Sequence, residues 1–150
     1  MRRLLPIVLS SFILMACGMK TIYSHYNHTP IQGWEKNDTL TYDINPVKHQ
    51  GIYATTLGLR INGSYPFMSL ALVVERTILP RHEVKTDTIM CKFTDSEGNS
   101  HRKGTSYFQY TVPAGYMHLL ENDSVHITIR HCMKRDILPG IADIGVMVEK

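Results

Sequence analysis

Apolar and polar side chains alternate every second residue in one segment after another of this 150-residue chain. Leu40, Tyr42 and Ile44 alternate with Thr39, Thr41 and Asp43. Tyr53, Thr55, Leu57, Leu59 and Ile61 share one phase, and Thr56, Gly58 and Arg60 share the other. Met68, Leu70, Leu72 and Val74 repeat the pattern, as do Ile89, Cys91 and Phe93, then Val125, Ile127 and Ile129, and finally Ile144, Val146 and Val148. A period of two puts neighbouring side chains on opposite faces of an extended backbone, so each run predicts a strand with one buried face.

The breaks between the runs carry turn chemistry: Asn62-Gly63-Ser64 before Tyr65-Pro66, Pro80-Arg81-His82, Pro113-Ala114-Gly115 and Pro139-Gly140. Asp95-Ser96-Glu97-Gly98-Asn99 is the strongest hairpin signal, because Asp, Gly and Asn tolerate the left-handed backbone of a tight turn. No apolar stripe of helical period is long enough for a helix, and Leu138–Ile141 is expected as one short turn. About seven to nine strands, spaced roughly every 10–15 residues, predict an all-β antiparallel β-sandwich or jelly-roll-like single domain. That domain is expected over residues 34–150. The length suits one domain rather than two, and 43% hydrophobic content is ordinary for a chain with its own core.

The first sixteen residues read differently. Arg2 and Arg3 open them, and an apolar run follows from Leu4 to Ala16, broken only by Pro6, Ser10 and Ser11. This is the layout of a secretory signal. It is too short for a spanning helix, which needs about 20 apolar residues. The run ends Leu14-Met15-Ala16-Cys17, which resembles the lipobox of bacterial lipoprotein precursors: Leu at −3, a small residue at −1 and Cys at +1. The small residue fits the peptidase, and the thiol is the nucleophile that accepts a diacylglyceryl group. We therefore expect a signal peptide over 1–16, lipidation of Cys17, and a tether over 17–33. Two or three acyl chains hold a protein firmly where one holds it marginally. Gly18 follows Cys17 with no Asp at +2, and no acidic cluster lies in 18–27. By the known sorting rule this predicts the outer membrane, with the domain facing the periplasm.

The remaining charge argues against nucleic acid as a partner. Removal of Arg2 and Arg3 takes the formal net charge from +3 to +1, too little for the clustered basic face that phosphate binding needs. Local signatures of catalysis are missing: no GxSxG, Walker loop, HExxH or GxGxxG occurs. His126, His131 and Cys132 form the tightest grouping of metal-ligand types. Strand residues five apart face opposite sides, so His126 and His131 are expected to diverge, as are His25 and His28, and no metal or cofactor is expected. Cys91 falls in phase with Ile89 and Phe93, and Cys132 with the other face, so two free thiols are expected although an oxidising compartment permits a bridge. Asp136 and Asp143 flank the Pro139-Gly140 turn, where carboxylates ordinarily cap backbone N–H groups. Trp34, the single tryptophan, is expected in the core.

Several stretches together resemble the gliding-motility lipoprotein family GldH of the Bacteroidetes. Cys17 matches its start and Gly33-Trp34 its early "GW" block. Leu59-Arg60-Ile61-Asn62 with Tyr65-Pro66 resembles its "LRN…YP" segment. Asp95-Ser96-Glu97-Gly98 with Lys103-Gly104 resembles its "D-x-x-G…G-x-G" stretch. Met133-Lys134, Leu138-Pro139-Gly140-Ile141 and Asp143-Ile144-Gly145 resemble its closing block. Asn99–Arg102 departs from the aromatic-containing turn of the family, and Lys134 stands where Arg is common. The resemblance implies a non-enzymatic envelope lipoprotein, held to a membrane through Cys17, with protein partners in a gliding and protein-secretion machinery. The alternative is a lipid-anchored carbohydrate- or ligand-binding module in which Trp34, Tyr107, Phe108 and Tyr110 supply stacking faces.

Overall fold

In a computed structural model, which describes residues 18–93 and 107–150, the alternating runs become strands. In chain order these are β1 (Thr21–His28), β2 (Trp34–Glu35), β3 (Leu40–Ile44), β4 (Gly51–Asn62), β5 (Ser69–Leu79), β6 (Glu83–Lys92), β7 (Tyr107–Leu119), β8 (Ser124–His131), β9 (Ile137–Leu138) and β10 (Ile141–Glu149). No α-helix occurs among the described residues. Two four-stranded antiparallel sheets form, one ordered β1-β10-β4-β7 and the other β3-β8-β5-β6, with a small β2-β9 pair apart from them. With that pair set aside, the eight long strands interleave early and late segments in each sheet, so that β1 lies beside β10 and β3 beside β8. This is the jelly-roll order, two Greek keys wound into one sandwich.

The inner faces are the apolar phases of the sequence. Leu57 opposes Val146 and Leu59 opposes Ile144 in the first sheet; Val74 opposes Ile129 in the second. These side chains are fully buried, and each contributes about 1.5–3 kcal/mol relative to exposure. Polar groups tie the sheets together: the Tyr42 hydroxyl donates to the Ile144 carbonyl (2.6 Å), and Asn27 Nδ2 donates to the Thr41 carbonyl (2.8 Å). Burial raises the Tyr42 phenol above its ordinary value, so it stays a donor at any physiological pH.

Among the described residues, the inward phases of β5 and β6 carry a charged pair, Arg76 and Asp87. Arg76 follows the phase of Leu72 and Val74 and is fully buried. Its Nη1 donates to Asp87 Oδ2 (2.6 Å), and its Nη2 donates to the Ala114 carbonyl on the facing sheet. That carbonyl is turned inward where β7 shifts register opposite Ala54–Thr56.

The sandwich has two distinct ends. The base holds Gly18–Lys20 and the loops 45–50, 80–82 and 120–123; the crown holds 29–39, 63–68 and 132–140, with the β2-β9 pair. At the crown, Trp34 pairs with Leu138 and closes over His131, their rings 5.2 Å apart. Gly140 has φ of +81°, and a Cβ there would fall 2.3 Å from the Tyr65 nitrogen. Only glycine lets the crown strand turn against Tyr65.

Three expectations need correction. The stretch expected as a tether, 17–33, carries β1, which pairs with β10 along Thr21–His28. As an edge strand with a mostly exposed burial pattern, it needs no apolar alternation, so period two does not reveal it. Pro113-Ala114-Gly115 is not a turn but lies inside β7; proline is tolerated there because β7 is an edge strand, with no further neighbour needing its N–H. Leu138–Ile141 splits between β9 and β10 instead of forming a single turn. The Asn62–Ser64 break is a turn as expected, with Ser64 N donating to Asn62 Oδ1 (2.9 Å). Cys17 and the signal peptide expected over 1–16 lie outside the described residues, as do the hairpin expected at Asp95–Asn99 and Lys103-Gly104.

Candidate functional site

The outer face of the β1-β10-β4-β7 sheet is polar by the same alternation that fills the core. Near the crown, antiparallel register sets four of its residues in one row: His28 opposite Asp143, Asp143 opposite Arg60, and Arg60 opposite Gln109. They come from four strands, and the row exists only once the sheet has formed.

The Asp143 side chain is almost fully buried and lies between its neighbours. His28 Nδ1 contacts its Oδ1, and Arg60 Nη1 approaches its Oδ2 at 3.6 Å. That longer distance is an electrostatic contact rather than a hydrogen bond. Arg60 Nε is buried with no hydrogen-bond partner among the described residues. The guanidinium lies over the Tyr26 ring, 4.5 Å from its centroid, a cation–π contact. Tyr26 in turn lies flat on Gly145 and Gly58, where added Cβ atoms would fall 2.6 Å and 2.1 Å from it. The two facing glycines make the bed for the ring, and the ring positions Arg60.

Around this row runs an open groove of about 660 Å³. Its apolar margins are Ile31, fully exposed, and Tyr107 on the β7 edge; Asn62 and Gln109 contribute amides. Thr29 closes the floor by donating to the Ile141 carbonyl. Its charged groups are spent on one another, and among the described residues no hydroxyl or thiol nucleophile is paired with His28. The arrangement presents a shaped contact surface with one cation and two apolar shoulders.

The residues singled out from sequence disperse. His126 Nδ1 lies 2.5 Å from Asp43 Oδ1 on the outer face of the other sheet. His131 is fully buried, its Nε2 donating to the Trp34 carbonyl (3.1 Å). Burial lowers the His131 pKa below its ordinary value, an effect the Trp34 carbonyl partly offsets. Among the described residues no group of three His, Cys, Asp or Glu is placed to hold a metal. Cys91 and Cys132 are free, and burial pushes the Cys91 thiol up to about 12. Asp136 is exposed beside Lys36, away from buried Asp143. Trp34 sits in the core as expected. Trp34 and Tyr110 are buried and Tyr107 is on the groove, so the four rings named as stacking faces do not share a surface. His28, Arg60 and Gln109 went unselected because nothing local links them. The available signal was Gly58-x-Arg60 and Asp143-x-Gly145, two small-plus-charged pairs on polar faces.

A family profile described as GldH lipoprotein matches residues 21–148. Over 151 aligned residues the chain is 21% identical to the gliding motility lipoprotein GldH of Flavobacterium johnsoniae, covering 96% of this chain and 94% of that one. Among solved structures it is similar to a family 35 carbohydrate-binding module from Clostridium thermocellum (TM-score 0.38, 10% identity, 86% of this chain and 95% of that one). It is also similar to part of a family GH115 4-O-methyl-alpha-glucuronidase (TM-score 0.45, 13% identity, 86% of this chain and 17% of that one). Likeness at these scores carries no argument about ligand or activity.

Proposed function

The chain belongs to the GldH lipoprotein family, and from that membership we propose that it is a non-catalytic, lipid-anchored component of a gliding and protein-secretion machinery, acting through protein contacts at the crown groove. Family membership supports an envelope lipoprotein associated with gliding motility. The Leu14-Met15-Ala16-Cys17 sequence supports diacylglyceryl attachment at Cys17, and Gly18 supports retention in the outer membrane facing the periplasm. No helix among the described residues is long and apolar enough to cross a membrane; attachment through acyl chains requires none.

The observation that carries the contact role is the groove. Its charged row is internally neutralised, its shoulders are the exposed side chains Ile31 and Tyr107, and its shape is open. Exposed apolar groups bordered by polar ones are the composition of a contact surface. Arg60 and Tyr107, of types enriched at binding hot spots, would be its anchors.

The test is an affinity pull-down of the tagged lipoprotein from its own envelope, in native form and as an Ile31→Asp, Tyr107→Ala variant. Both positions are exposed, so the fold is expected to survive. The reading expects outer-membrane or secretion-apparatus proteins with the native bait and at least tenfold less with the variant, a loss of about 1.4 kcal/mol or more. Equal recovery by both baits would move the contact elsewhere. Unchanged surface movement and unchanged protein export after deletion would remove the machinery role itself.

A further inference from the structure

The strand found in place of the expected tether has a geometric consequence. Lys20 is already locked to the sheet: its N–H donates to the Lys150 carbonyl and the Lys150 N–H donates back, both at 2.9 Å. Only Gly18 and Met19 separate it from Cys17. Three Cα steps span at most about 11 Å when fully extended. A headgroup layer is about 5–7 Å thick on each side of the hydrocarbon. A lipid on Cys17 therefore brings the base of the sandwich to the membrane surface.

The base is suited to that position. Met19 and Ile22 expose apolar side chains next to the anchor, and Ile52 and Tyr116 do so on the adjoining sheet face. Lys20, Lys48 and Lys150 surround a cleft of about 370 Å³ floored by Ile44, Val47 and Tyr53. Lysines ringing apolar and aromatic groups match the chemistry of a headgroup boundary, where stems lie along acyl chains and ammonium groups reach phosphates. Acidic groups are present too: Glu149 is bonded to Thr21 (3.0 Å), Asp123 (2.7 Å) and Glu83 (2.8 Å) to Arg81, and Glu121 is exposed on the 120–123 loop. The attachment comes from the acyl chains, so the lysines need not generate a net positive field.

We propose that this base, formed by Gly18–Tyr23, the 45–50 loop and Lys150, is the membrane-facing surface, seated on the phospholipid headgroups of the bilayer that holds the Cys17 lipid. The proposal rests on the lipid-anchor reading of Cys17. β1 starts at the base and ends at His28, so its eight residues carry the groove roughly 23 Å from the base. The sandwich thus stands upright, with its contact groove on the sheet flank at the end remote from the membrane.

The single tryptophan, Trp34, is a built-in reporter of the crown. The full lipidated protein is reconstituted into phosphatidylethanolamine–phosphatidylglycerol vesicles containing lipid brominated near the headgroup. It is compared unmodified, as Lys48→Trp or Ile52→Trp at the base, and as Ile31→Trp at the crown. The base tryptophans should lose roughly half their emission, being in the headgroup layer, while Trp34 and Ile31→Trp keep theirs. Inserting a flexible segment of about 20 Gly/Ser residues between Met19 and Lys20 should restore the base emission while the protein still floats with the vesicles. Protein that floats with lipid on Cys17, yet shows base tryptophans no more quenched than the crown one, overturns the docking surface alone. Protein with unmodified Cys17 that fails to float overturns the anchor and the docking together.

Discussion

Arg76 and His131 are two of the polar side chains buried in the sandwich, and each makes a measurable demand. Arg76 is wholly buried whereas its partner Asp87 is about one-third exposed. Removing the cation leaves a carboxylate that water can reach; removing the carboxylate leaves a buried, uncompensated guanidinium. Asp87→Asn is therefore expected to cost about 3 kcal/mol and Arg76→Met distinctly less, read as urea-unfolding midpoints. A larger loss for Arg76→Met would contradict that assignment. His131 has its pKa held below the ordinary 6.5 by burial. As pH falls, the unfolded chain takes up the proton first, so the stability contributed by neutral His131 is full above about 6.5 and lost as pH drops from there toward the folded-state value. Melting temperature should fall more between about pH 7.5 and about pH 5.5 in the native protein than in His131→Leu. Neither demand was visible beforehand. Arg76 follows Val74 in phase, but a lone arginine on an apolar face looks like the end of a strand. The opposite faces of His126 and His131 did follow from spacing alone.

At the scale of elements, legibility tracks how one-sided each strand is. β3, β4, β5, β8 and β10 each have one buried and one polar face, and their alternation located them to within a few residues. β1 and β7 are edge strands with weaker patterning, and β2 and β9 are two residues each. The positions of β1, β2 and β9 depend on partners more than 100 residues away, such as Trp34 with Leu138, and β7 depends on β4, which it meets between Asn62↔Tyr107 and Gly51↔Leu119. The order of strands was beyond a single sequence for the same reason, although alternation with turn residues was enough for an antiparallel sandwich. β1 is the element whose reassignment matters most, because it covers the open side of β10. Deleting residues 18–28 would bare the β10 ladder and uncover Tyr42, and exposed edges of that kind pair with other chains. That truncated protein is expected to elute as aggregate in size-exclusion chromatography. A monodisperse, folded monomer would mean that β1 is dispensable to the sandwich.

At the scale of the whole molecule, the jelly roll separates two surfaces. The base gathers the chain entry and the lysines around the lower cleft; the crown gathers the groove, with Asp143 between His28 and Arg60 and with Tyr26 bedded on Gly58 and Gly145. The sequence supplied the proposed anchor residue and the family resemblance, because both rest on short contiguous motifs. The groove was not legible, because His28, Arg60, Gln109 and Asp143 sit on four strands and meet only through register. A lipidated Cys17 would turn this two-ended shape into an oriented one, so the orientation depends chiefly on that residue. The most direct measurement is the intact mass, with N-terminal peptide mapping, of the mature protein purified from membranes of its own cells. The expected result is a chain that begins at Cys17 and carries a thioether-linked diacylglyceryl group, and a Cys17→Ser variant that stays unprocessed. A mature chain that begins elsewhere, or a Cys17 with a free thiol, would contradict it.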